Sequence, residues 1–253
     1  MTKIYLANVG VNRSDEKRGM MNPLFEDNTF EFIPIKENKR VKGNIIPTYE
    51  TLKAYNSDLP LANYLPEKIH NYYAHNDPEF ITFTYGDMTK NSRSRNLLKI
   101  EKDDYLFFLV RLTPYRNNQY IKLEGNFYLI GFFQIEGIYK TEQKIEENSE
   151  KLKENAHYKK YITDYEEIDS SFIIKGDIKK SKRFKYPIRV DRSFCNKFLT
   201  DIDGREYKWK NDLKFDNQVI GSYTRTIRSI LDSEKEPEKF QKFISYIEER
   251  SIY

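Results

Sequence analysis

Two runs of aromatic and β-branched residues, Asp104–Leu112 and Phe127–Tyr139, limit most strongly how this chain can fold. Each is too apolar for a surface loop and shorter than the roughly 18 residues that a membrane-crossing helix needs. Both therefore predict buried strands. Gly131, inside the second run, marks a place where another backbone or a ligand comes close, because a glycine in a strand interior otherwise only weakens it.

Around this pair the remaining elements are short. Lys3–Val9 predicts an opening strand that ends at Gly10, and Thr29–Ile35 a second strand, with Pro34 pointing to a sheet edge. A brief strand is expected over Thr48–Leu52, a helical turn over Glu67–Tyr73, and further strands over Ser171–Lys175 and Tyr186–Val190. The charged stretch Thr141–Tyr161, with only Ile145 and Leu152 as spaced apolar residues, predicts a solvated surface helix that is an insertion or a cover. Near the carboxyl end Phe240, Phe243, Ile244 and Ile247 fall at i, i+3, i+4 and i+7, one apolar stripe of a helix. Ser233, Glu236 and Pro237 supply its start signal.

No repeat or linker divides the chain, so residues 1–253 are expected to form a single domain. The charged helical insertion lies near 141–161 and a helical carboxy-terminal part near 215–253. Strands first and helices last predict an α+β fold, here a mixed, partly closed β-barrel core with peripheral and C-terminal helices.

Charge and cysteine content narrow the functional classes. The 43 Lys and Arg against 39 Asp and Glu leave a net charge of +4, so any nucleic-acid surface must be a local patch. One cysteine, Cys195, excludes an internal disulfide framework and a cysteine-built zinc site, and its apolar neighbours suggest a core thiol. The amino terminus lacks the apolar length and cleavage pattern of a signal peptide. A soluble, cytoplasmic protein with no membrane partner is expected.

The loop between His75 and Arg95 is rich in residues that carry chemistry. His75, Asp77 and Asp87 offer an acid, a base and a second carboxylate, and Arg93, Arg95 and Arg111 offer guanidinium groups able to hold a phosphate by paired hydrogen bonds. Tyr85 could stack on a base. Taken singly, Asp87 is also an ordinary turn residue after Gly86, and His75 an ordinary loop cap. The segment around Lys179, Lys180, Lys182, Arg183 and Lys185, with Phe184 between, suits a phosphate backbone and a stacked base, or is a plain solvated turn. A metal reading needs more ligands than this pattern supplies: with only His70, His75 and His157, a His plus Asp site is possible but lacks support, and no metal ligand set is assigned. No glycine-rich phosphate loop, Walker lysine, GxSxG or zinc-deaminase signature is present.

The order of several short motifs resembles a known family. Leu6-Ala7-Asn8-Val9-Gly10-Val11-Asn12, the turn Asn22-Pro23-Leu24-Phe25-Glu26-Asp27-Asn28-Thr29 with Ile33-Pro34-Ile35, His75-x-Asp77-Pro78, the strand from Asp103 to Phe108 and the strand from Tyr128 to Phe133 are similar to the third of the nucleotide-modification-associated domain families. The likeness spans about the first two thirds and returns at Trp209. That family typically carries Asp in its first loop and Ser-Pro in its second, where this chain has Asn12 and Asn22-Pro23, so a carboxylate is missing at Asn12. The resemblance implies association with modification of DNA bases or nucleotides. A looser likeness to the PUA, ASCH and EVE barrels, which read modified bases and RNA, rests on a turn Asp before an apolar strand and on the Ile130-Gly131 strand.

The expected function is thus action on a base or nucleotide, in DNA modification or in defence against modified DNA from phage, with DNA or a nucleotide as substrate and the cofactor unknown. His75, Asp77 and Asp87 would carry the chemistry. Asn12, Asn22, Tyr85, Arg93, Arg95 and Arg111 would bind substrate, and Lys180, Lys182, Arg183 and Lys185 would contact nucleic acid. The alternative is a reader that flips or recognises a modified base without turning it over, which needs an aromatic cage and a basic rim but no acid/base pair.

Overall fold

The computed structural model describes residues 1–37, 45–88, 92–163, 171–201, 203–207 and 221–251. In chain order the strands before the charged segment are β1 (Lys3–Asn8), β2 (Asn22–Leu24), β3 (Ile35–Lys36), β4 (Ala74–His75), β5 (Thr84–Met88), β6 (Tyr105–Arg116), β7 (Gln119–Tyr120) and β8 (Asn126–Tyr139). Three short helices follow, α1 (Glu142–Glu146), α2 (Ser149–Leu152) and α3 (Ala156–Tyr161). The chain continues through β9 (Ser171–Gly176), β10 (Lys182–Arg189), α4 (Arg192–Phe198), α5 (Gly221–Arg225), β11 (Arg228–Asp232) and α6 (Pro237–Arg250). The result is an α+β fold around one large mixed sheet with path β11-β1-β6-β8-β9-β5, and the strands at its two ends do not pair with each other.

The two apolar runs are adjacent antiparallel strands, β6 and β8, with Phe107 opposite Phe132 and Phe108 opposite Gly131. Alternation along them sorts the core into two layers. Ile4, Leu6, Phe107 and Leu109 face one layer, while Tyr5, Ala7, Leu106, Phe108, Val110 and Leu112 face the other. Because β1 and β6 are covered on both faces, they read as nearly continuous apolar runs. Gly131 sits at a register shift, and a side chain there would collide with the Lys182 carbonyl and come within 3.0 Å of the Arg183 Cα. The close approach expected at this glycine is that of β10.

The stripe on α6 closes the first layer. Phe240, Phe243 and Ile247 are buried, and Phe243 meets Phe107 and Phe198 edge-on with ring centroids 5.1 Å apart. The helix begins at Pro237, the first-turn position where the missing N–H costs nothing. Ser233 is used elsewhere: its Oγ accepts a hydrogen bond from the Thr2 backbone N–H. Cys195 is buried in the same layer, the core thiol that its neighbours suggested.

Several expectations are corrected. Thr29–Ile35 is not a strand: Phe30 makes one isolated bridge to Leu24, and only Ile35–Lys36 joins a ladder. Side chains take the backbone groups a neighbouring strand would have used, the Ile33 N–H going to Asn22 Oδ1 and the Phe30 carbonyl to Asn56 and Arg183. Thr48–Leu52 is a turn, with the N–H groups of Thr51 and Leu52 both donating to the Thr48 carbonyl. Within the carboxy-terminal part, Arg228–Asp232 is a strand pairing antiparallel with β1; residues 215–220 of that part lie outside the described residues, as does Trp209. The 141–161 segment is a packed cover of three helices, and Ile145, Leu152, Ala156 and His157 are buried. Thr141 and Asn155 cap two of its helices by accepting N–H groups of the first turn, so the charged sequence breaks into short pieces. Among the described residues no helix is long and apolar enough to cross a membrane.

Candidate functional site

Short pairing places the first members of the site. Ile35 pairs with His75 and Lys36 with Ala74, so the residue after β3, Glu37, stands opposite Tyr73 and diagonal to His75. Asp77 follows in a turn held by its own N–H donating to the His75 carbonyl at 2.8 Å, ahead of a cis bond to Pro78. Its Oδ2 then accepts the Gly86 N–H of β5 at 2.9 Å. From the cover, α3 lays His157 against Gly86. A Cβ at Gly86 would overlap the His157 ring, reaching 2.9 Å from its Cγ, so the glycine makes room for the histidine.

Three side chains therefore converge from two segments, His75 and Asp77 from β4 and the turn after it and His157 from α3. His75 Nε2 lies 3.8 Å and His157 Nε2 3.5 Å from Asp77 Oδ2, and the two rings meet edge-on at 4.9 Å. His75 Nδ1 is 3.2 Å from Glu37 Oε2, which the Lys160 ammonium also approaches, at 3.1 Å. Asp77 and His157 expose 2% and 6% of their side chains and His75 exposes 12%, so the cluster is closed except on the His75 side. Asp77 Oδ1 is buried without a hydrogen-bond partner among the described residues.

Electrostatics fix the protonation pattern. Burial pushes the Glu37 carboxyl up, but the His75 hydrogen bond and the Lys160 charge outweigh it and bring it down to about 2. Burial pushes His75 down to about 4 against the pull of Glu37. At neutral pH, His75 is thus an uncharged imidazole donating Nδ1–H to the Glu37 carboxylate, with the Nε2 lone pair turned toward Asp77 and His157. Burial likewise holds the Asp77 carboxyl well above the usual range, only partly offset by the Gly86 N–H.

The other expected site residues fall elsewhere. Tyr85 and Asp87 lie on the β5 face opposite Gly86, linked by a hydrogen bond from the Tyr85 hydroxyl to Asp87 at 3.1 Å. The Tyr85 ring is buried against Phe108, so it offers no face on which a base could stack. Arg93 donates to the Asn8 carbonyl, Arg95 is exposed, and Arg111 pairs with Glu16 at 3.0 Å. Asn12 spans its own loop, accepting from Asn8 and donating to the Gly10 carbonyl. Asn22 is fully buried and spends its side chain on Val11, Arg111 and Ile33 backbone groups, so it braces the fold.

The basic segment divides. Lys180 and Lys185 are exposed, whereas Lys182 donates to the Ser251 carbonyl. Arg183 is corrected from a surface contact to a buried one: its guanidinium lies over the Phe30 and Tyr55 rings and 3.4 Å from Glu31. Phe184 is buried in the core and not available for stacking.

Sequence reasoning missed Glu37 and Lys160, and named His157 only among the histidines of a possible but unsupported His plus Asp site. His157 carried one signal, as one of three histidines in the chain, five residues beyond Leu152 and two beyond Asn155 on a segment whose apolar residues turn inward. Glu37 carried none, because its partner stands 38 positions later. Two surface clefts, of about 550 Å³ along α4 and α6 and about 430 Å³ between β1 and β11, contain none of these residues.

With the geometry in place, a family model described as nucleotide modification associated domain 3 matches residues 3–233. No curated protein and no solved structure matches.

Proposed function

We propose that this chain, which belongs to the nucleotide modification associated domain 3 family, is an enzyme acting on a base or nucleotide in DNA modification or in defence against modified DNA, with the whole chain as one such domain. Family membership supports a role in nucleotide modification. The observation that carries the enzymatic reading is the convergence of His75, Asp77 and His157, with Glu37 turning the His75 lone pair inward. A side chain so oriented can take a proton or hold an electrophile. Asp87, on the other face of β5, Arg93 in the turn beyond that strand, and exposed Lys180 and Lys185 are the substrate and nucleic-acid contacts we assign.

A base reader needs exposed aromatic faces. The enclosed Tyr85 ring favours the enzymatic reading over a reader. For the sheet, we keep a partly closed barrel as a proposal, supported by the register shifts in β1, β8 and β10, since bulges add bend and twist. The test of function is mass spectrometry of nucleosides from cells expressing the protein or its His75→Asn variant. A new or depleted nucleoside that reverts in the variant is expected; the same profile in both overturns the assignment of His75.

A further inference from the structure

The geometry points to a divalent transition-metal site formed by His75 Nε2, Asp77 and His157, with Glu37 and Lys160 orienting the first histidine. It deepens the proposed function by naming what the cluster holds, and rests on that reading only for its use.

The separations decide between three kinds of contact. A direct hydrogen bond to a ring nitrogen would bring the atoms to about 2.7–3.2 Å. A bridging water, about 2.8 Å from each partner, would spread them to roughly 4.6 Å. One ion about 2.1 Å from each ligand, at near-tetrahedral angles, sets ligand atoms about 3.4 Å apart, rising to about 3.6 Å at trigonal angles. The observed 3.5 Å from His157 to Asp77 Oδ2 falls in the last range and the 3.8 Å from His75 just above it, and all three ligand atoms lie within 4.8 Å of one another.

The surroundings agree. Metal-bound histidines usually donate their other ring N–H to a carboxylate, and His75 does so to Glu37. Lys160 then neutralises a carboxylate that would otherwise add a second negative charge near the ion. A buried carboxylate facing two imidazole rings, with one oxygen that has no hydrogen-bond partner among the described residues, is costly by itself; a dication between them supplies the missing charge. Gly86 leaves the volume that lets the His157 ring close the third side.

Two imidazoles and one carboxylate suit zinc or iron(II) over calcium or magnesium, whose ligands are oxygen. Three protein ligands leave a position for water or substrate, unlike the closed four-ligand structural sites. The opening on the His75 side is where that fourth ligand enters.

The probe is the metal itself. The full chain is analysed for bound metal as purified, then stripped with a chelator and titrated calorimetrically with Zn(II) and, without oxygen, with Fe(II). One ion per chain is expected, with affinity lowered at least about 100-fold in His157→Asn and Asp77→Asn. The positioning variant Glu37→Gln should lose about 10–100-fold, the usual range for a removed outer-shell partner. Circular dichroism and the metal-free Tm establish that each variant folds; Asp77→Asn keeps an oxygen for the Gly86 N–H, and metal should raise the Tm of the wild type more than that of any variant. Absence of stoichiometric binding, or wild-type affinity in folded His157→Asn, overturns the site. Binding as expected with an unaltered nucleoside profile would leave the metal site standing and remove the proposed function, so the two failures are separable.

Discussion

Replacing Arg183 with methionine separates a buried ion pair from a nucleic-acid contact. Arg183 and Glu31 expose 3% and 2% of their side chains and approach to 3.4 Å. Glu31 also accepts the backbone N–H groups of Tyr55 and Asn56, at 2.8 Å and 2.6 Å, so it holds the 55–56 loop against the 30–33 segment. Methionine fills much of the space beside Phe30 and Tyr55 but removes the guanidinium, leaving a buried carboxylate with two N–H partners and no countercharge. Breaking a buried pair from one side costs about 3–5 kcal/mol. For a chain of this size, each kcal/mol shifts Tm by about 2–4 °C, so a fall of roughly 6–20 °C is expected. Urea denaturation monitored by circular dichroism gives the free energy directly. The exposed control Lys180→Met should stay within about 0.5 kcal/mol of wild type. A loss below about 1 kcal/mol in Arg183→Met, together with weakened DNA binding, would refute the argument and return Arg183 to the surface role that its basic neighbours suggested.

Three further outcomes follow from particular contacts. Gly86→Ala should cost about 1–3 kcal/mol by overpacking and displace the His157 ring, which chemical denaturation and histidine NMR shifts would detect; an undisturbed His157 resonance would count against the placement of α3. Phe243→Ala empties the space between Phe107, Phe194 and Phe198 and should cost about 3–5 kcal/mol in the same denaturation assay, and a change under about 1 kcal/mol would mean that α6 does not close the core. Neutralising Lys180 and Lys185 together should reduce the log-log salt slope of DNA binding by roughly 1–2 in fluorescence anisotropy, each phosphate contact contributing about 0.9; an unchanged slope would move the interface elsewhere.

Where the signal was local and periodic, the sequence determined the structure. The continuous apolar runs Asp104–Leu112 and Phe127–Tyr139 placed β6 and β8, because a strand covered on both faces is apolar at nearly every step. The stripe from Phe240 to Ile247 placed α6 for the corresponding reason at a period of 3.6 residues. The close approach at Gly131 was legible too, since a strand gains nothing else from a residue with no side chain. Half of the candidate site was visible in the same way: His75 and Asp77 stand two positions apart in a loop that proline keeps from being helical.

The other half depended on contacts the chain makes across long separations. His157 joins Asp77 from 80 positions later only because α3 packs on β5, and Glu37 meets His75 only because β3 pairs with β4. Burial was likewise undecided in the sequence. Arg183 and Lys185 belong to one basic run, yet one guanidinium lies under Tyr55 while the other side chain is in solvent. Thr29–Ile35 alternates like a strand, but Asn22 and Arg183 reach its backbone from elsewhere and take the groups a ladder would use. A periodic pattern records which face of an element turns inward, whereas the partner that a polar group meets is fixed only when distant segments pack, and in this chain that packing assembles the site.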